Sequence, residues 1–190
     1  MHLLDYQTMT PGPIDPHLRQ ALHSIYRAQF DAIHSHPEGF TAGDATRMLT
    51  HLMGSREWSW PVRGITPAAL EVFAVHGFRP PPGQLQRGHR YDRRATAQAL
   101  YFERAEAASE AEFFEFFLAR DETVIMTREQ NRAQPGAEFP PYIPIDASLG
   151  LFRCAPVVGW RHGAREKAFL RELHDAHREN AEIIVLRTGR

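Results

Sequence analysis

A histidine and four arginines occur within the nine residues from Gln86 to Arg94, together with a glycine. An imidazole can accept a proton near neutral pH, and the planar guanidinium group of arginine binds phosphate oxygens in pairs. Gly88, next to His89, would let a ligand or another stretch of backbone approach closely. These residue types therefore predict a phosphodiester-cleaving site with His89 as the general base. The arginines that would contact the phosphate are Arg87, Arg90, Arg93 and Arg94.

Three consecutive residues of this segment, Arg87-Gly88-His89, resemble the core of the Asp-Arg-Gly-His motif of the nonspecific DNA/RNA endonucleases. These enzymes belong to the ββα-metal (HNH-like) superfamily, and Gln86 stands at the position of their aspartate. The resemblance implies that His89 activates a water molecule as general base. It also implies that a downstream asparagine, here Asn131, holds a divalent metal, usually Mg²⁺, against the scissile phosphate.

A metal-free reaction is a second interpretation of the same residues. Small ribonucleases of the toxin type use the ribose 2′-hydroxyl as the nucleophile. That chemistry needs a group to take the 2′ proton, a group to protonate the leaving oxygen and a cation for the phosphorane charge. Arg87, His89, Thr127 and Glu129 could supply these groups, with the last two in a turn after a predicted strand. In the alternative, Thr127 and Glu129 only cap a helix.

A third interpretation involves no catalysis. The same basic loop, or the tryptophan-rich segment 58–62, could bind a protein or a nucleic acid. In the plainest form of this interpretation the loop is only solvated, and Arg93 or Arg94 pairs with a later acidic residue such as Glu110. Substitution of His89 by alanine separates the classes, because an enzyme would lose turnover while a binding module would lose affinity at most.

The overall charge provides no field that would attract nucleic acid from a distance. The chain carries 22 basic and 23 acidic side chains, so a nucleic-acid partner would have to meet a local patch. Cys154 is the only cysteine, which excludes an internal disulfide and predicts a reducing, cytoplasmic environment. The sequence has no signal-peptide pattern and no apolar run long enough for a membrane span, so we expect no membrane partner. A homodimer is compatible with the sequence.

The order of predicted elements favours an α+β fold over a doubly wound sheet, because strands and helices do not alternate regularly. Residues 1–16 contain several prolines and a glycine and predict an irregular N-terminal arm. Residues 17–190 are predicted to form a single α+β domain, with a small mixed or antiparallel sheet flanked by helices.

Helices are indicated by periodic apolar residues and by start signals. Thr66 with Pro67 is a start signal, and Ser109 with Glu112 forms a capping box before another helix. The predicted helices cover about residues 17–34, 42–53, 67–76, 95–107, 110–118 and 164–177.

Strands are indicated less clearly than helices. The apolar run Val124–Met126 predicts an interior strand, and residues 157–160 and 183–186 predict two more. The chain around His89 is predicted to be a loop that follows the break at Pro80 to Gly83, and residues 58–62 are ambiguous.

Overall fold

The computed structural model describes residues 15–54, 56, 58–81, 83–133, 138–155 and 159–188. The predicted N-terminal arm lies outside these residues except for its last two, which begin the first helix. The side chain of Asp15 accepts a hydrogen bond of 2.9 Å from the backbone N–H of His17, and Pro16 occupies the first position of that helix. An N-cap followed by proline is a common helix start. The N–H at the first helical position has no partner within the helix, so its absence in proline costs nothing there.

Seven α-helices occur in the part of the chain that the structure describes. The predicted start signals are confirmed, since Thr66 Oγ1 accepts a hydrogen bond of 3.2 Å from the backbone N–H of Ala69 and the capping box of Ser109 and Glu112 is formed. The helices are α1 (Pro16–Ser35), α2 (Ala42–Met53), α3 (Pro67–Val75), α4 (Arg93–Tyr101), α5 (Glu110–Arg120), α6 (Arg128–Ala133) and α7 (Ala164–Thr188).

Four strands form a mixed sheet in the order β2-β3-β1-β4. They are β1 (Val62–Ile65), β2 (Leu85–His89), β3 (Thr123–Thr127) and β4 (Ile143–Pro144). Strand β1 runs parallel to β3, whereas β2 and β4 pair antiparallel with their neighbours. The mixed sheet with its flanking helices confirms the predicted α+β class. The predicted interior strand is also confirmed, because Val124, Ile125 and Met126 are completely buried in β3.

Two further short strands, β5 (Cys154–Ala155) and β6 (Gly159–Trp160), pair antiparallel with each other. Strand β6 is the end of the predicted strand 157–160, whose first two residues lie outside the described residues. The pair places Trp160 near the sheet.

Two apolar cores organise the described residues. The first is helical and joins α1, α2, α4 and α5 around Tyr26, Tyr101 and Phe113. The second lies between the sheet and helices α3 and α7, and includes Phe73 and Leu170. The hydroxyl of Tyr26 is buried yet satisfied, because it donates to the carbonyl of Leu100 (3.0 Å) and accepts from the N–H of Ala108 (3.2 Å).

The predicted loop around His89 is wrong, because residues 85–89 form strand β2. All five residues pair with β3, from Leu85 opposite Thr127 to His89 opposite Thr123. The strand has no β-branched or aromatic residue, so its extended conformation depends on pairing with β3 and not on local preference. The basic segment is therefore divided between a strand, which carries Arg87, and helix α4, which carries Arg93 and Arg94.

Two other predicted elements differ from the structure. The helix predicted over 95–107 is α4 and ends at Tyr101, because residues 102–109 form the connection that brings Ala108 to Tyr26 and lets Ser109 cap α5. The strand predicted over 183–186 is wrong, since these residues continue α7. A four-residue apolar run does not distinguish a strand from a buried turn of helix. No helix among the described residues is long and apolar enough to span a membrane.

Candidate functional site

A cavity of about 400 Å³ lies beside the edge strand β2. Four of the predicted site residues line it, namely Arg87, His89, Arg93 and Asn131. Strand β2 supplies the first two, the first turn of α4 supplies Arg93, and α6 supplies Asn131. The fold thus brings together residues that the sequence separates, and this cavity is the candidate functional site.

The other predicted site residues do not line this cavity. Arg90 follows β2 and is exposed, with its Nη1 4.0 Å from Glu122 Oε2. Arg94 is exposed on α4, and Glu129 is exposed on α6. Arg90 lies outside the cavity lining because the chain leaves β2 there, and Arg94 and Glu129 lie on exposed positions of helices α4 and α6. The alternative partner considered for Arg93 or Arg94, Glu110, instead pairs with Arg19 (Nε–Oε1 3.2 Å).

Thr127 takes the capping role that the sequence allowed for it. Its Oγ1 accepts a hydrogen bond of 3.2 Å from the backbone N–H of Gln130, in the first turn of α6. Gln130 Oε1 in turn accepts from the Thr127 N–H (3.1 Å) and from the Thr66 hydroxyl (2.7 Å). The turn after β3 is thereby fixed, which holds α6 and its Asn131 against β2.

Arg87 connects two backbone segments at the wall of the cavity. Its Nη1 donates a hydrogen bond of 3.1 Å to the carbonyl of Trp60, and its Nη2 donates to the carbonyl of Phe152. Both acceptor residues have left-handed backbone conformations, with φ of 55° for Trp60 and 53° for Phe152. Bulky residues rarely adopt such conformations, which cost about 1–3 kcal/mol each and need support from their surroundings. The Arg87 guanidinium provides that support.

His89 packs against the buried Trp60 indole and is partly buried itself. The two rings meet edge to face, with centroids 4.9 Å apart. Burial, and then the positive charges of Arg93 and Arg87, lower the pKa of His89 from 6.5 to about 3. The imidazole is therefore neutral at physiological pH. It can accept a proton, although in the protein without ligand it is a weak base.

Arg93 is the most accessible cation of the cavity. It is exposed at the start of α4, directly after the N-cap Asp92, and its Cζ lies 5.4 Å from the centroid of the Trp60 ring. A guanidinium over an aromatic ring keeps its donors at the periphery for other partners. Its charge also contributes to the lowered pKa of His89, so Arg93 and His89 are coupled electrostatically.

Asp121 is a buried acid near this site that the sequence did not indicate. Its Oδ2 accepts hydrogen bonds from the backbone N–H of Trp60 (2.7 Å) and the hydroxyl of Ser59 (3.1 Å). Burial raises the pKa of Asp121 well above its usual range, although those hydrogen bonds and Arg87 oppose the shift. Asp121 and His89 both line a smaller cavity of about 20 Å³, which has room for about one water molecule. Asp121 lies between α5 and β3, and the neighbouring residues in the sequence do not indicate that its carboxyl group is buried against Trp60.

Gly88 permits the close approach that its position next to His89 predicts. A Cβ atom at this position would lie 2.9 Å from Asn131 Oδ1 and would collide with the thioether of Met126. Asn131 consequently sits directly over β2, where its Nδ2 donates a hydrogen bond of 2.8 Å to Gln86 Oε1. The absence of a side chain at Gly88 leaves room for this pair of amides at the cavity wall.

The residues present at the cavity fit Mg²⁺ poorly. Mg²⁺ prefers six oxygen ligands, usually including one or two carboxylates. Asn131 could offer one amide oxygen, but the described side chains that line the 400 Å³ cavity include two arginines and no carboxylate. Among the described residues, no group of three or more His, Cys, Asp or Glu side chains could hold a metal ion. We therefore derive no step that depends on a metal.

The lowered pKa of His89 makes the contribution of this residue to stability fall in acid. Between pH 6.5 and about 3 the unfolded chain binds a proton at this position and the folded protein does not. We expect the wild type to lose about 3 kcal/mol more stability between pH 7 and pH 4 than His89→Gln does. Urea unfolding at both pH values measures this difference. The exposed His51 on α2 is the control, and His51→Gln should follow the wild type. Parallel pH dependence of the wild type and His89→Gln would contradict the lowered pKa.

Comparisons with protein-family models, with curated proteins and with solved structures found no significant match to this chain. The resemblance to the ββα-metal endonucleases therefore remains a prediction. The function has to be argued from the chemistry of the His89 cavity.

Proposed function

We propose that the protein is a nuclease-like phosphodiesterase and that the cavity around His89 is its reaction centre. The proposal depends mainly on one observation. The neutral imidazole of His89 and the exposed guanidinium of Arg93 line the same cavity. His89 can accept a proton and Arg93 can bind the phosphate, so the cavity supplies two of the three groups that metal-free cleavage needs, and water can protonate the leaving oxygen.

Binding of a phosphate at Arg93 would itself activate His89. Burial is the largest cause of the lowered pKa of His89 and the positive charge of Arg93 is the second, so an anion beside Arg93 offsets part of the shift and raises the pKa of His89. The imidazole then becomes a stronger base when substrate is bound. This coupling would limit proton abstraction to the complex with substrate, where it is useful.

The lining of the cavity favours the ribose 2′-hydroxyl as nucleophile, and hence RNA as substrate. In this reaction His89 takes the 2′ proton, the 2′ oxygen forms a bond to phosphorus, and the bond to the 5′ oxygen breaks. The leaving 5′ oxygen takes a proton from water, and the hydroxide that results removes the proton from His89, so that the imidazole is neutral again. The product strand ends in a 2′,3′-cyclic phosphate. Arg93 stabilises the additional negative charge on the phosphorane, so no metal is needed. Glu129 has no place in this step, because it lies on the exposed side of α6.

A binding module without turnover is the second candidate, and two observations favour it. The pKa of His89 is far below the value best suited to a general base at neutral pH. In addition, two donors of Arg87 are engaged by backbone carbonyls, so its guanidinium mainly supports the wall of the cavity. Such a cavity would bind a phosphate-containing ligand and leave it unchanged.

Two adjacent arginines provide a matched test of the proposal. Arg93→Ala is expected to lower kcat/KM for a labelled RNA strand about 10- to 100-fold, because it removes a charged hydrogen-bond donor to the phosphate. Arg94→Ala removes the same charge from an exposed position outside the cavity lining and should leave kcat/KM unchanged. Equal losses in both variants would indicate unspecific attraction by charge. No cleavage by the wild type would overturn the proposal.

A further inference from the structure

Part of the cavity has no role in the cleavage chemistry. The amide pair of Gln86 and Asn131 and the indole of Trp160 line it, yet the reaction needs only His89 and Arg93. The absence of a side chain at Gly88 lets Asn131 lie close to β2, where it reaches Gln86. The cavity therefore contains a polar wall in addition to its reactive groups.

Trp160 contributes an aromatic ring to this wall. Its Nε1 is covered by protein, so a ligand in the cavity does not reach that atom. The residue as a whole is only partly buried, and its ring can therefore contact a ligand in the cavity. Trp160 thus offers an aromatic surface and no hydrogen-bond donor.

The lining indicates the chemistry of a ligand that would fit the cavity. Indole rings provide flat apolar faces, neighbouring amides offer both donors and acceptors, and Arg93 provides a cation. A ligand that matches all three is planar, has hydrogen-bonding edges and carries a negative charge. A nucleotide meets these requirements, since its base stacks on aromatic rings, amides bind base edges in pairs, and its phosphate binds arginine.

We infer that the cavity is a binding site for one unpaired nucleotide, with the base against Trp160 and the Gln86–Asn131 pair and the phosphate at Arg93. The inference rests on the proposed function only in one respect, which is that the phosphodiester of the bound nucleotide is the bond that is cleaved. Binding of the nucleotide does not depend on cleavage. The volume of about 400 Å³ lies in the range of small-molecule sites and is too small for a duplex. A base must therefore enter unstacked and unpaired.

Binding can be measured without turnover in the His89→Ala background, by fluorescence anisotropy in EDTA. The probes are a short labelled single-stranded RNA, the same sequence as a duplex, and unlabelled mononucleotides as competitors. The site variants are Asn131→Ala, which removes the amide, and Trp160→Ala, which removes the aromatic ring from the cavity lining. Gln84→Ala is the matched control, since Gln84 is an exposed amide just before β2 and does not line the cavity.

The single strand is expected to bind at least tenfold more tightly than the duplex. Each site variant should weaken that binding by about tenfold or more, and Gln84→Ala should not change it. Equal affinity for single strand and duplex, or full affinity in both site variants, would overturn the inference even if the wild type cleaves RNA. Binding with the expected pattern but without cleavage by the wild type would support the inference and reject the proposed function. Competition by mononucleotides shows whether the ligand is a free nucleotide or part of a strand, and both sources support the site.

Discussion

Replacement of His89 by alanine is expected to lower kcat/KM for RNA cleavage by about 10²–10⁴-fold. Among the described residues that line the cavity, the imidazole is the only group that can take up a proton from the attacking hydroxyl at neutral pH, because the other polar side chains are amides, indoles and guanidinium groups. Initial rates on a labelled single-stranded RNA measure the effect. Circular dichroism and urea unfolding show whether the variant remains folded.

His51→Ala is the control for this experiment, because His51 is exposed on α2 and does not line the cavity. It should keep the wild-type rate. A folded His89→Ala variant with the wild-type rate would exclude His89 as the general base. A loss in both variants would point to a contaminating activity or to a general effect on the protein.

Arg87→Met is expected to lower the free energy of unfolding by about 4 kcal/mol. The substitution leaves the carbonyls of Trp60 and Phe152 without their charged donor, and a hydrogen bond to a charged group contributes about 1.5–3 kcal/mol. Both carbonyls belong to residues in left-handed conformations, which the guanidinium helps to hold. Urea unfolding of the wild type and the variant measures the difference.

Arg87→Lys tests the geometry of this contact. An ammonium group keeps the charge but cannot donate in the fixed fork that reaches both carbonyls, so we expect it to recover less than half of the loss. Arg94→Met serves as the control for loss of an exposed arginine and should change stability by less than about 0.5 kcal/mol. If Arg87→Met lowers the free energy of unfolding by less than about 1 kcal/mol, the backbone conformations at Trp60 and Phe152 do not depend on Arg87.

The helices were more predictable from the sequence than the strands, for a physical reason. Helix starts depend on contacts within a few residues, such as Thr66 with Ala69, and these can be recognised in the sequence. Strand β2 has Leu, Gln, Arg, Gly and His in succession and becomes a strand only through its pairing with β3. That pairing joins distant parts of the chain, and strand preference depends strongly on such context.

The candidate site was predictable in part. His89 and Arg93 were indicated by their residue types and their closeness in the sequence, and both line the cavity. Asn131 came from the resemblance to a nuclease motif, and the structure explains its position by the missing side chain of Gly88. The contacts of Asp121 with Trp60 had no signal, because they depend on the backbone conformation at Trp60 and on burial.

Metal-free cleavage of RNA at the His89 cavity can be tested by incubation of the wild type with a labelled single-stranded RNA, in EDTA and in Mg²⁺. The same sequence as DNA and as duplex RNA provides the comparison. We expect that the single-stranded RNA is cleaved at the same rate in EDTA and in Mg²⁺, that the product ends in a 2′,3′-cyclic phosphate, and that the DNA is not cleaved. If none of these nucleic acids is cleaved under either condition, the cavity around His89 is not the reaction centre of a nuclease.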